Sequence, residues 1–282
     1  MTVMWMTHGN GTSLTAGTGE VRAEGAAFKS PEWAKKILAV RVGAQYGGIV
    51  TDGEQLIVRG RVDTNDFNPT PFEFLCPPVG CADGTPATTN PVNLETYIMN
   101  APINPGSAIN TYFTQTEAAT AAYPYAHVDY CFGSEGEVLP YDPLPGRQRY
   151  RKVGTLTAAA SYAAGPAIGT PYSFNGGEAV TEIGGILGLT TPNVALSGRG
   201  YFEFRSPDVQ AWPAQITANM YGAKLGATDA HLAPKVTREL CMVKCEPRVQ
   251  VSDYFAQGEA QTDTTPRWVS MVEFIRPVRG AG

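Results

Sequence analysis

Few side chains in this sequence have the type and spacing that catalysis or metal binding requires. His127 and Asp129 stand two residues apart within Tyr125–Phe132. On a strand that spacing puts both on one face, where a carboxylate can orient an imidazole for base chemistry. It equally describes a surface or cross-strand pair, and that plainer reading is preferred. The other histidines are His8 and His231. Three glutamates sit between hydrophobic residues: Glu73 in Phe72-Glu73-Phe74, Glu203 in Phe202-Glu203-Phe204 and Glu273 in Val272-Glu273-Phe274. Two carboxylates facing each other across a cleft would suit glycoside hydrolysis. Strand alternation offers a simpler account, with the aromatics inside and each Glu in solvent.

The five cysteines are Cys76, Cys81, Cys131, Cys241 and Cys245. Their spacings miss the two-residue gap of a zinc knuckle, and no His or Cys partner stands beside them. A local Cys76–Cys81 disulfide is one alternative. Free thiols packed as small hydrophobes are preferred. G-x-S-x-G, H-E-x-x-H and phosphate-loop patterns are absent from the sequence. The expectation is therefore no catalytic residue, no cofactor and no metal, and a chain that is not an enzyme.

Composition narrows the partners. The 282 residues carry a net charge of −5, with 43% hydrophobic and 17% charged residues, and 31 Gly and 22 Pro. An average globular domain has about 25% charged residues. Nucleic-acid binders carry a basic stripe or arm. The densest basic stretch here is Arg147, Arg149, Arg151 and Lys152. Its alternation predicts one solvated strand face, so no direct nucleic-acid binding is expected. Residues Met1–Thr15 lack a positive region followed by an apolar one, so synthesis in a reducing cytoplasm is expected. No stretch holds the ~20 apolar residues of a membrane-spanning helix.

The elements that must position these groups read as strands. β-branched residues fill Trp33–Tyr46, and Gln55–Asp63 puts Leu56, Val58, Gly60 and Val62 on one face. Thr51-Asp52-Gly53 between them predicts a hairpin. Further strands are expected at Phe72–Cys76, Leu94–Met99, Tyr112–Thr116, Tyr125–Phe132, Arg147–Tyr162, Gly200–Ser206, Val236–Phe255 and Trp268–Arg276. A short helix is expected around Gly176–Gly188 and another after Ser206-Pro207-Asp208. Eight to ten strands without regular crossover helices predict an all-β antiparallel sandwich or barrel with long insertions and at most one or two short helices. The expected layout is an extended N-terminal arm over 1–25 and a single sandwich over 26–282, with insertions around 65–106 and 165–198. Two small rolls are the alternative.

Many aromatics fall in predicted loops, namely Tyr97, Tyr112, Phe113, Tyr123, Tyr125, Tyr141, Tyr172 and Phe174. Such residues stack on sugars or anchor subunit contacts. Arg205, Arg238 and Arg248 are candidates for interface ion pairs.

Taken together, the Gly/Thr-rich segment Gly9–Gly25, the strand opening at Trp33, the Pro/Asn/Gly/Thr loops and the low charge resemble viral jelly-roll capsid proteins. Ala233-Pro234-Lys235-Val236-Thr237-Arg238 and Arg276-Pro277-Val278-Arg279 fit the same style, which is that of icosahedral phages and archaeal viruses with an internal membrane. The resemblance implies a jelly-roll-type antiparallel β-sandwich and a structural shell protein that self-assembles into capsomers tiling an icosahedral particle. Its partners would be copies of itself, other capsid proteins and an underlying viral membrane, and its location the virion. The missing basic arm sets it apart from simple RNA viruses. The competing expectation is a carbohydrate- or receptor-binding sandwich, such as a lectin or phage adhesin. In the capsid reading, Met1–Gly25 carries assembly and is dispensable for the fold.

Overall fold

The computed structural model describes residues 3–13, 20–23, 27–46, 55–56, 58–66, 72–76, 79–80, 94–115, 124–157, 164–173, 179–188, 196–205, 216–224, 237–244, 250–257 and 267–275. They hold nineteen strands. The first eleven are β1 (Val3–Ser13), β2 (Val21–Arg22), β3 (Phe28–Lys29), β4 (Lys36–Tyr46), β5 (Gln55–Leu56), β6 (Val58–Thr64), β7 (Phe72–Leu75), β8 (Val79–Gly80), β9 (Glu95–Pro102), β10 (Ala108–Gln115) and β11 (Pro124–Gly133). The remainder are β12 (Arg149–Thr157), β13 (Ala164–Ser173), β14 (Ala179–Gly188), β15 (Leu196–Arg205), β16 (Ile216–Lys224), β17 (Thr237–Lys244), β18 (Gln250–Gln257) and β19 (Arg267–Ile275).

Strand order reveals a repeat that residue identity hides. One sheet runs β1-β11-β4-β9, and β7-β6-β10-β2 faces it, with β3 also on β10. Set aside the small β5–β8 ribbon, count β2 and β3 as one, and these strands number one to eight. The two sheets then read 1-8-3-6 and 5-4-7-2, the jelly-roll order. Strands β12 to β19 repeat it, as β17-β14-β19-β12 and β13-β18-β15-β16. The all-β expectation holds, but the single-sandwich layout gives way to two eight-strand sets. Among the described residues every pairing is antiparallel except one. In that one, β12 runs parallel to β7 at Arg151 and Phe72, which fuses sheets of the two sets into one of nine strands.

Side-chain alternation builds the first core. Along β6, Val58, Gly60, Val62 and Thr64 are buried, while Arg59, Arg61 and Asp63 face outward. Val40, Val42, Val128, Tyr130 and Phe132 from the opposite sheet meet Val62, Phe74, Ile109 and Phe113 in one cluster. Phe74 packs edge-on to Phe113 with ring centroids 5.7 Å apart. Gly60 is required here. A Cβ on it would lie 2.4 Å from the Phe74 ring and 2.8 Å from the Tyr112 carbonyl oxygen.

Several expectations change. Residues 3–13 of the expected arm are strand β1, and Ala23 is fully buried, so removing 1–25 would open the first core. The expected insertions at 65–106 and 165–198 contain β7, β8 and β9, and β13, β14 and the start of β15. Where a helix was expected at Gly176–Gly188, β14 runs as a strand between β17 and β19. The helix expected after Ser206 lies outside the described residues. β4 and β6 do not form a hairpin. Both edges of β4 are taken, by β11 and β9, so the chain crosses to the other sheet. Cys76 and Cys131 are free, buried thiols. Burial raises the Cys76 thiol far above its ordinary range and pushes Cys131 up to about 11.

Gly60→Ala should cost about 1–3 kcal/mol through overpacking. The denaturant midpoint of the variant reads this directly, and an unchanged midpoint would contradict the close approach of Phe74.

Candidate functional site

Two polar constellations stand out among the described residues. One is sealed in the joint between the two strand sets, and the other lies on the outer face of the β1-β11-β4-β9 sheet.

The joint is built around Arg151. Its backbone sits between Phe72 on β7 and Glu273 on β19. Its side chain is fully buried. The guanidinium donates to the Ile98 carbonyl oxygen at 3.0 Å, is bonded to Glu273, and lies 4.7 Å from the centre of the Tyr97 ring and 4.9 Å from that of Phe72. Arg149, two residues earlier on the same face, bonds Asp142 and approaches Glu273 at 3.3 Å. The Thr181 hydroxyl donates to Glu273 at 2.8 Å. Asn100 completes the group, donating to Asp142 at 2.6 Å and to the Arg147 carbonyl oxygen at 3.1 Å. A bulge in β9 aims Asn100 this way. Two residues of β9, Met99 and Asn100, oppose one of β4, Leu38, and Asn100 adopts a positive φ of 49°, which Asn tolerates.

This arrangement corrects two expectations. Arg149 and Arg151 do not lie on a solvated strand face, and Glu273 does not face solvent. Alternation put them on one face correctly, but the first strand set covers that face. Glu73 is half-buried and accepts a hydrogen bond from the Val153 backbone N–H at 2.6 Å. The side chains of Glu203, Arg205, Arg238 and Arg248 are outside the described set, as are those of Tyr123, Tyr125, Tyr172, Phe174 and His231.

The outer face gathers the His127–Asp129 pair. Asp129 lies opposite Thr7 of β1 and Arg41 of β4. Its carboxylate accepts from Thr7 at 2.8 Å, from Arg41 at 2.6 and 2.8 Å, and meets His127 Nε2 at 3.0 Å. Burial alone would raise the Asp129 pKa. The bonds from Arg41 and Thr7 and the His127 imidazole outweigh it, and the pKa falls below the ordinary carboxylate value. The Arg41 guanidinium stacks on Trp5, 4.7 Å from the ring centre. Val3, Met4 and Trp5 are exposed on β1, and Tyr141 is 58% exposed. Sequence reasoning found the His–Asp pair but missed Trp5 and Arg41, which only the pairing of β1 along β11 and β4 along β11 brings together. Of the expected loop aromatics, Tyr141 is exposed, Tyr112 lies under Arg61, and Tyr97 and Phe113 are core residues.

A pocket of about 100 Å³ lies between Glu20, Arg59, Arg61 and Glu73. Organic ligand sites commonly span about 300–1,000 Å³. Among the described residues no group of three His, Cys, Asp or Glu could hold a metal ion.

No protein-family model matches the chain, and no curated protein matches it. Solved structures match it at low identity. PNGase F of Flavobacterium meningosepticum, a glycosylasparaginase, is 8% identical with a TM-score of 0.45, covering 98% of this chain and 96% of that one. The tandem CBM22 domain of Paenibacillus barcinonensis Xyn10C is 12% identical with a TM-score of 0.27, over 96% and 92%. Macrobrachium rosenbergii nodavirus is 8% identical with a TM-score of 0.26, over 98% and 96%. The expectation that the chain is not an enzyme is corrected here, because the matches include an enzyme over nearly its whole length. At these scores the likeness assigns no reaction.

Two outcomes follow from the constellations. Glu273→Gln and Arg151→Met each break a buried pair, and each should lower stability by about 3–5 kcal/mol in chemical denaturation. A loss under 1 kcal/mol would mean that water reaches the joint. Asp129 has a folded pKa below its unfolded value near 3.9, so its stabilisation is present above that value and is lost as pH falls through the lower, folded one. Asp129→Asn should therefore be less stable than wild type at pH 7, with the gap closing by about pH 2. An equal gap at both pH values would contradict the ion pair with Arg41.

Proposed function

We infer that the chain is a structural shell subunit of a virus or phage, which self-assembles into capsomers that tile an icosahedral particle. The observation that carries this reading is the fusion of two jelly-roll strand sets into one block. A shared nine-stranded sheet and a buried ion-pair cluster join them. A shell needs bricks that keep their shape under load while each contact between bricks stays weak. Symmetry repeats weak contacts, and closure of the shell makes their sum large. Two sandwiches on a flexible linker would let the contact surfaces wander, whereas a shared sheet holds them in register. The low charge of the chain, 17% of residues, limits repulsion among close-packed copies. In this reading its partners are further copies, other capsid proteins and an underlying viral membrane. Its place is the virion, after synthesis in the host cytoplasm.

A carbohydrate- or receptor-binding module is the second reading. The exposed Trp5, stacked on Arg41, and the exposed Tyr141 support it, since exposed aromatic rings can stack on sugars.

Light scattering of the purified protein across concentration and salt separates the two. Discrete oligomers that grow into megadalton particles are expected. A strict monomer under every condition would overturn the shell reading, and a glycan array would then test Trp5 and Tyr141.

A further inference from the structure

The geometry points to residues Val3–Thr7 of β1 as a pairing edge for a second copy of this chain, antiparallel about a two-fold axis at Trp5. This deepens the shell reading, on which it rests, by naming one contact between copies.

Strand β1 ends its sheet, bonded to β11 on one side only. The other side carries a row of backbone donors and acceptors without a strand beside it among the described residues. Natural edges are guarded by charge, proline, bulges or a covering segment. The opposite edge of the same sheet, β9, has such guards: its bulge at Met99 and Asn100, and Pro102 at its end. β1 divides in two. Its pairing with β11 slips between Thr7 and Gly9 and again between Asn10 and Thr12, so the second half is bulged. From Val3 to Thr7 the register is unbroken, against Gly133 through Asp129. That stretch holds no charge, no proline and no bulge, and Val3, Met4 and Trp5 are 36–41% exposed.

Three features select another copy as the occupant. An antiparallel edge is self-complementary, so a two-fold axis satisfies both ladders with one sequence. The chain carries a net charge of −5, which disfavours contact between copies except where charge is absent. The whole of β1 has no Asp, Glu, Lys or Arg, and Arg41 beneath Trp5 is matched by Asp129. With the axis at Trp5, each Trp5 faces its counterpart, Met4 faces Met6, and Val3 faces Thr7. Aromatic pairs directly opposite on antiparallel strands are favourable. Five residues span only about 17 Å, so the contact is small and weak by itself, as a repeated shell contact should be.

Two variants test the pairing in the full chain. Under mild oxidation, Trp5→Cys should give a covalent dimer on a non-reducing gel at least ten-fold faster than wild type or Val138→Cys, which places a thiol on another exposed site. Met4→Lys should shift the concentration for half-dimerisation at least ten-fold upward, with its unfolding midpoint unchanged. Cross-linking of Trp5→Cys no faster than Val138→Cys, or dimerisation unaffected by Met4→Lys, overturns the edge pairing. If large particles still form in that case, the shell reading stands without it. A dimer cross-linked through position 5 that never grows further supports the pairing and overturns the shell.

Discussion

A guanidinium withdrawn from water must be neutralised and hydrogen-bonded where it lies, and Arg151 meets that demand with groups from both strand sets. Glu273 neutralises it from β19, the Ile98 carbonyl accepts from it on β9, and Tyr97 and Phe72 pack on its faces. No simple rotation of one set against the other preserves all of these. Removing two charges from water costs several kcal/mol, so the pair contributes less to net stability than its bonds suggest. Its main effect is on specificity. A slip of β12 by one residue against both β7 and β19 would turn Arg149 and Arg151 to the opposite face and leave Glu273 and Asp142 buried without cations.

The outer face of the β1-β11-β4-β9 sheet uses similar chemistry with a different outcome. Asp129 is buried, but Arg41 and His127 reach partly into solvent. The cluster therefore fixes side chains at a surface instead of locking an interior. Holding Arg41 against Asp129 also holds Trp5 flat, because the ring rests on the guanidinium. A pre-positioned aromatic loses little freedom when something binds over it. A rigid joint and a pre-ordered surface suit a protein whose work is contact.

Sequence patterning made the strands of the first set legible because their alternation is strong. The in-and-out pattern of Val58–Thr64 is seen in full. Alternation says which residues share a face and is silent on what covers it, so the Arg149–Arg151 face was read as solvated. The second set was harder. Ala164–Ser173 is rich in Gly, Ala and Pro and Ala179–Gly188 in Gly, residues depleted in strands, and they resemble loops until pairing supplies the missing stabilisation. The jelly-roll type was expected from the resemblance, but which strand pairs with which was beyond reach for a related reason. In a jelly roll most neighbours in a sheet are distant in sequence, and no local signal records that β1 lies beside β11 or β12 beside β19.

That remoteness has a consequence in time. Arg149 and Arg151 leave the ribosome more than a hundred residues before Glu273, their shared carboxylate. The first strand set has all its strands once β11 emerges and can close early. The nascent chain then carries Arg149 with Asp142 already to hand, but Arg151 has no carboxylate until β19 is made. The seam between the sandwiches therefore sets last, after both are largely formed, and its closure marks a chain translated through to its final described strand. Long-range pairings of this kind fold slowly. A chain cut short before β19 lacks Glu273, the carboxylate that neutralises Arg151 in the seam.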